Sequence, residues 1–180
     1  VVLAGGQTAE DDMRDALDNL FEHPNVAPFI SKQLIQRLVT SNPTPQYVER
    51  VANVFDDNGS GERGDLAAVV SAILLDDEAR QNSGVINYYG KIREPLLRTV
   101  QFWRELDAAS PANWYFTWSL NDSHGQTPLG SPSVFNFFAA DFSPVGSLSD
   151  ANLVAPELEI INDTFMVRNA NHAAWWSLWA

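Results

Sequence analysis

Cysteine is absent from the 180-residue chain. That excludes disulfide frameworks, cysteine nucleophiles and zinc–thiolate sites, and it leaves the redox compartment undecided. No apolar run approaches the roughly 20 residues of a membrane span. Basic residues are scarce, 11 against 23 acidic, for a formal net charge of -12. A phosphate backbone is bound mainly by Lys and Arg, so nucleic acid is not an expected partner, and neither is an anionic membrane surface. Cations or basic partners are favoured instead. Only three histidines are present, His23, His124 and His172. A three-histidine metal site would need all of them to converge, and none stands in an H-x-x-H or H-E-x-x-H setting. No serine sits in a G-x-S-x-G context. Internal repeats, low-complexity tracts and useful strand-like alternation are also missing.

What remains is a chain with 45% hydrophobic residues, ordinary for a globular protein. Its length allows roughly 70% of the unfolded surface to be buried. The periodicity predicts an all-α fold of about six helices around one core. The first spans about 12–23, with Met13, Ala16, Leu17, Leu20 and Phe21 at three-to-four spacing, and ends at His23-Pro24. The second spans about 26–40, with a wide stripe of Phe29, Ile30, Leu34 and Leu38. Thr44 reads as the N-cap of the third, with Pro45 at its first position. Tyr47, Val48, Val51, Val54 and Phe55 face inward there. Asp65 caps the fourth, which carries Leu66, Val69, Ile73 and Leu74. A fifth covers about 94–107 with Leu96, Val100, Trp103 and Leu106 on one face. The helical core is thus 12–107. An aromatic-rich ordered loop follows at 108–155, with Trp114, Tyr115, Phe116, Trp118, Phe135, Phe137, Phe138 and Phe142, expected to wrap the core and be pinned by its rings. A terminal helix is expected over 156–180, with a seam of Leu158, Ile161, Phe165, Arg168, His172, Trp175 and Trp179.

Five groups of residues carry candidate chemistry. In the turn 56–65, Asp56, Asn58 and Ser60 occupy alternate positions with Gly61 sixth, the spacing of a calcium loop. The twelfth position is Ala67, where a bidentate carboxylate belongs. The other reading is a plain connection in which glycines supply positive φ and Asp65 caps the next helix. His23 is either a base or metal ligand, or a helix-end residue that caps carbonyls. Arg93 and Glu94 either line a pocket or form an ion pair between helices. Trp175, Trp176 and Trp179 lie on nearly all sides of their helix, so they mark a face for a partner chain or a further domain. The aromatic loop is either a sugar- or partner-binding surface or a set of core plugs.

The run LDNLFEHPNVAPFISKQLIQRLVTSNPTPQYVERVANVFDDNGSGERGDLAAVVSAILLDDEAR (17–80) resembles the C-terminal part of the bacterial domain-of-unknown-function 1800 family. GKIREPLLR (90–98), SPSVFNFF (131–138) and LVAPELEI (153–160) are similar to the same family. The family's G-x-G-x-R-G-D-L stretch stands here as Gly59, Gly61, Arg63, Gly64, Asp65 and Leu66. The resemblance implies an exported, periplasmic or extracellular protein, and a sulfatase-like neighbour protein as a partner. The chain begins at Val1 and ends inside a helical pattern, so both ends read as cut. These features lead to the expectation of a non-catalytic interaction or assembly domain working with another polypeptide, either the missing N-terminal region or that neighbour. The alternatives are part of an extracytoplasmic hydrolase or polymer-processing enzyme, drawing on His23, Asp65, Arg93 and Glu94, and a calcium-stabilised structural module. No other cofactor is expected.

Overall fold

The computed structural model describes residues 5–81, 87–110, 114–115, 117, 119–134 and 136–179. Every regular element among them is a helix, as the periodicity requires. The chain gathers into two compact units, Val1–Tyr89 and Gly90–Ala180.

The first unit holds α1 (Ala9–Phe21), α2 (Val26–Leu38), α3 (Pro45–Asp56), α4 (Leu66–Leu75) and α5 (Asp77–Gln81). Its core is a cluster from α2, α3 and α4: Ala27, Ile35, Tyr47, Val51, Ala52, Phe55, Val69 and Ile73. Each fully buried aliphatic side chain there contributes roughly 1.5–3 kcal/mol. The buried Tyr47 hydroxyl donates to the Ile73 carbonyl at 2.6 Å, so its polar end is satisfied inside the core. Thr44 and Asp65 cap α3 and α4 as expected, through Tyr47 N–H at 3.2 Å and through Ala67 and Ala68 N–H at 3.0 and 3.1 Å. At the far end of α4, Arg50 grips Asp76 with two hydrogen bonds of 2.8 Å. Asp76 also accepts the Glu78 N–H at 2.8 Å. The buried Glu78 carboxylate in turn accepts the Thr44 N–H at 3.0 Å and the Thr44 hydroxyl. The start of α3, the end of α4 and α5 are thereby tied by one polar network.

Helix α1 departs from expectation in two ways. It begins at Ala9, earlier than about 12, because Thr8 caps it, accepting the Asp11 N–H at 3.2 Å. Its apolar stripe is not in the core. No residue of α1 is buried, and Met13, Leu17, Leu20 and Phe21 are 62%, 56%, 61% and 41% exposed.

The second unit holds α6 (Pro95–Glu105), α7 (Leu120–His124), α8 (Ser147–Asp150), a 3-10 turn (Pro156–Glu159) and α9 (Asp163–Trp179). Helix α6, expected with the first four, belongs here. It stops at Glu105 because the chain turns to positive φ at Asp107. The short helices α5, α7 and α8 were not foreseen, since four or five residues carry no apolar period. The terminal helix does not start at 156. The 3-10 turn ends, and α9 begins again behind Asn162, whose side chain accepts the Phe165 N–H at 3.1 Å. Leu158 and Ile161 therefore do not share a helical seam with Phe165.

Among its described residues, the segment 108–155 is held by polar bonds as well as by rings. Phe138 is buried, but Trp114 and Tyr115 are about half exposed. Ser143 donates to the Leu153 carbonyl at 2.7 Å, Ala155 N–H to Phe142 at 2.9 Å, and Ala139 N–H to the Glu159 carboxylate at 2.7 Å. Tyr115 stacks on Trp103 with centroids 4.9 Å apart. Phe116, Trp118 and Phe135, counted among the pinning rings, lie outside the described residues, as do the side chains of Trp176 and Trp179.

Candidate functional site

The turn after α3 is closed upon itself. Asp57 accepts the N–H groups of Gly59 and Gly61 at 2.8 and 2.9 Å, which holds its carboxyl below the usual range. The Asn58 side-chain oxygen accepts Ser60 N–H at 2.9 Å, and its amide donates to Asp65 at 2.8 Å. That bond, followed by the Ala67 and Ala68 N–H groups, lowers the Asp65 pKa. Asp56 pairs with Arg63. Of the calcium candidates, Asp56 thus faces a guanidinium and the Asn58 oxygen a backbone donor. Among the described residues, no group of three or more His, Asp or Glu side chains is arranged to hold a metal ion.

Arg63 is the centre of this region. It donates to the Phe21 carbonyl from Nε and Nη2 at 3.2 and 3.1 Å, and to the His23 carbonyl at 3.5 Å. Its guanidinium lies over the rings of Phe21 and Phe55, 5.4 and 5.2 Å from their centroids. Gly64 has φ +80, and a Cβ there would stand 2.7 Å from the Phe21 ring. The stretch therefore clamps the last turn of α1: Arg63 satisfies its open carbonyls, and Gly64 makes room for its final ring. His23 takes part locally, its Nδ1 accepting the Asn25 N–H at 3.1 Å.

His23 and Asp65 belong to the first unit, and Arg93 and Glu94 to the second. Arg93 is exposed. Glu94 accepts from the buried Gln126 amide at 2.5 Å, while the Gln126 oxygen accepts the Leu96 N–H at 3.1 Å. Glu94 thus helps cap α6 through Gln126.

The second unit brings together residues that sequence reasoning did not select. His124 is fully buried at the end of α7. Its Nε2 is 2.6 Å from the Thr99 hydroxyl on α6, and its Nδ1 is 2.6 Å from the Ser123 hydroxyl. Ser123 donates its one proton to the Ser119 carbonyl at 3.1 Å. It must then accept from Nδ1–H, which leaves the Nε2 lone pair to accept from Thr99. Burial, followed by the neighbouring His172 and Arg98, pushes the His124 pKa down to about 4, so the ring is neutral at pH 7. The His172 ring meets it edge-on at 5.0 Å, and burial lowers its pKa too. From α9, Arg168 donates to the Asp122 carbonyl at 3.0 Å and Asn169 to the Ser123 carbonyl at 3.4 Å. These bonds satisfy carbonyls of the short α7. Gly125 ends α7 with φ +65, its Cα under the Phe165 ring.

Above this cluster, between α6 and α9, lies a cleft of about 150 Å3 lined by Arg98, Thr99, Phe102, Trp103, His172 and Ala173 together with Asn169. The available signal was the polar interruption of the terminal seam at Arg168 and His172. Nothing in the sequence paired it with Thr99 or with the Ser123–His124 step. Trp175, marked for partner binding, is 56% exposed on α9.

The class is an all-helical protein whose distinctive polar residues brace helix ends. The chain belongs to the family described as "Protein of unknown function (DUF1800)", whose model matches residues 1–177. No curated protein and no solved structure shows significant similarity to it. The family-like stretches meet directly in the second unit: Lys91 of GKIREPLLR pairs with the buried Glu157 of LVAPELEI at 3.2 Å. No helix among the described residues is long and apolar enough to cross a membrane.

Proposed function

We propose that this is a non-catalytic docking domain that presents α1 to a partner polypeptide, outside the cytoplasm as the family resemblance implies. The observation that carries the reading is the bare apolar stripe of α1, Met13, Leu17, Leu20 and Phe21, with no buried residue on the helix. Single exposed apolar residues are ordinary, but a contiguous row on one helix marks an interaction surface. Arg63 and Gly64 hold the C-terminal turn of α1 at Phe21, while Met13, Leu17 and Leu20 stay more than half exposed. Glu10, Asp11, Asp12, Asp15, Asp18 and Glu22 flank it. The matching partner has an apolar groove with a basic rim, because a second acidic copy would set like charges together.

A photo-crosslinking residue at position 17, in cells producing the protein, tests this. Crosslinking to one defined polypeptide, lost when Leu20→Asp is added, is the expected result. A monomer by native mass spectrometry that forms no crosslink and binds no apolar dye would end the reading.

One observation favours a second reading, part of a hydrolase: the Thr99 hydroxyl donates to a neutral imidazole, the proton arrangement of a base-activated nucleophile. Equal rates of activated-ester cleavage by the wild-type protein and Thr99→Val would remove it.

A further inference from the structure

The cleft between α6 and α9 has walls of two kinds. Phe102, Trp103 and Ala173 make an apolar slot. Arg98 stands at its polar side. One Arg98 nitrogen, Nη2, donates to the Asn169 side-chain oxygen at 2.9 Å. Asn169 is itself buried and held by its bond to the Ser123 carbonyl. The guanidinium is therefore aimed from beneath, and it retains further N–H donors. Among the described residues no carboxylate pairs with Arg98, although the chain carries 23 acidic residues and a net charge of -12. None of the lining residues is acidic. His124, beneath the cleft, and His172, which lines it, have pKa values lowered by burial, so neither adds a positive charge at pH 7.

We propose that this cleft binds a small monocarboxylate with a flat or branched apolar body, the carboxylate on Arg98 and the body against Phe102, Trp103 and Ala173. Three physical points define the class. A volume near 150 Å3 accommodates a group of about the size of benzene. A guanidinium with free edges matches a carboxylate through two parallel hydrogen bonds. A dianionic phosphate would need more donors than one arginine, in a slot whose other walls are largely apolar. A cation is repelled by Arg98, and a neutral hydrocarbon would leave it unused. The proposal depends on neither functional reading above and is read by binding alone.

The experiment is a titration of the full chain with benzoate, followed by 1H–15N NMR, beside benzyl alcohol (same body, no charge) and acetate (same charge, no body). Benzoate is expected to saturate shifts in α6 and α9, and to bind at least about tenfold more tightly than benzyl alcohol. Acetate should fall well short of benzoate. Arg98→Gln should abolish the preference for benzoate over benzyl alcohol, and Ala173→Leu, which fills the slot, should weaken both. Arg98→Lys keeps the charge without the fork and should retain part of the preference, which separates loss of recognition from loss of folding. Equal binding of benzoate and benzyl alcohol, or no saturable shift in α6 or α9, overturns the proposal. Benzoate binding that survives both Arg98→Gln and Ala173→Leu overturns it as well.

Discussion

Lowering the pH from 7 to 4 should destabilise the second unit through His124. Its folded-state pKa is about 4, against 6.5 for an unperturbed histidine. Between those values the unfolded chain takes up a proton that the folded state refuses. Stability is therefore complete above about pH 6.5, falls as pH drops through 6.5 towards 4, and levels off below. At 1.36 kcal/mol per unit, the difference amounts to about 3 kcal/mol. The lowered His172 pKa acts in the same window and direction. Asp76, held down mainly by the Arg50 hydrogen bonds, acts elsewhere: its contribution is present above the ordinary aspartate range and is lost only as pH falls below it. All six tryptophans lie within Gly90–Ala180, so tryptophan fluorescence during urea unfolding reports this unit. The wild type should show the loss between pH 6.5 and 4, and His124→Gln should show most of it removed. Long-range 1H–15N spectra should find the proton on Nδ1 and no titration of the ring until near pH 4. A folded-state midpoint near 6.5, or the same slope in wild type and variant, would refute the burial argument.

The glycine turn offers a paired test. Gly59 and Gly64 both have positive φ, but a Cβ at 59 meets open space and one at 64 meets the Phe21 ring at 2.7 Å. Gly59→Ala should cost about 1 kcal/mol from backbone strain alone. Gly64→Ala should lower the melting temperature more, and equal shifts would contradict the clamp. Arg63→Lys retains charge but loses the fork onto Phe21 and Asp56. It should expose the α1 end to limited proteolysis, with a stability loss of about 1–3 kcal/mol; an unchanged digestion pattern argues otherwise. Calcium and a chelator should leave the melting temperature of the first unit unchanged, since Asp56 and Asn58 are engaged within the turn. A calcium-dependent rise of several degrees would restore the calcium reading.

The family-like stretches turn out to be joints. G-x-G-x-R-G-D-L closes the α3–α4 turn, caps α4 through Asp65 and holds the end of α1 through Arg63. GKIREPLLR is tied to LVAPELEI by Lys91 and Glu157. The proposed docking face, by contrast, is made mainly by Met13, Leu17 and Leu20, which those joints do not touch.

Local signals by themselves determined much of this protein. Period, caps and breakers set the helical class, the starts of α3 and α4 and the Thr44 and Asp65 caps, because each depends on a few neighbouring residues. Tertiary structure alone decided three things. An amphipathic stripe looks the same whether buried or bare, so the exposure of α1 was not legible in Met13, Leu17, Leu20 and Phe21. The 3-10 break before α9 hangs on Asn162, one polar side chain inside an otherwise helical pattern. The Thr99–His124–Ser123 bonds and the cleft beside Arg98 join residues from α6, α7 and α9, Arg98 and Asn169 among them standing 71 positions apart in the chain. No spacing rule connects such residues, because only the packing of those helices brings them together.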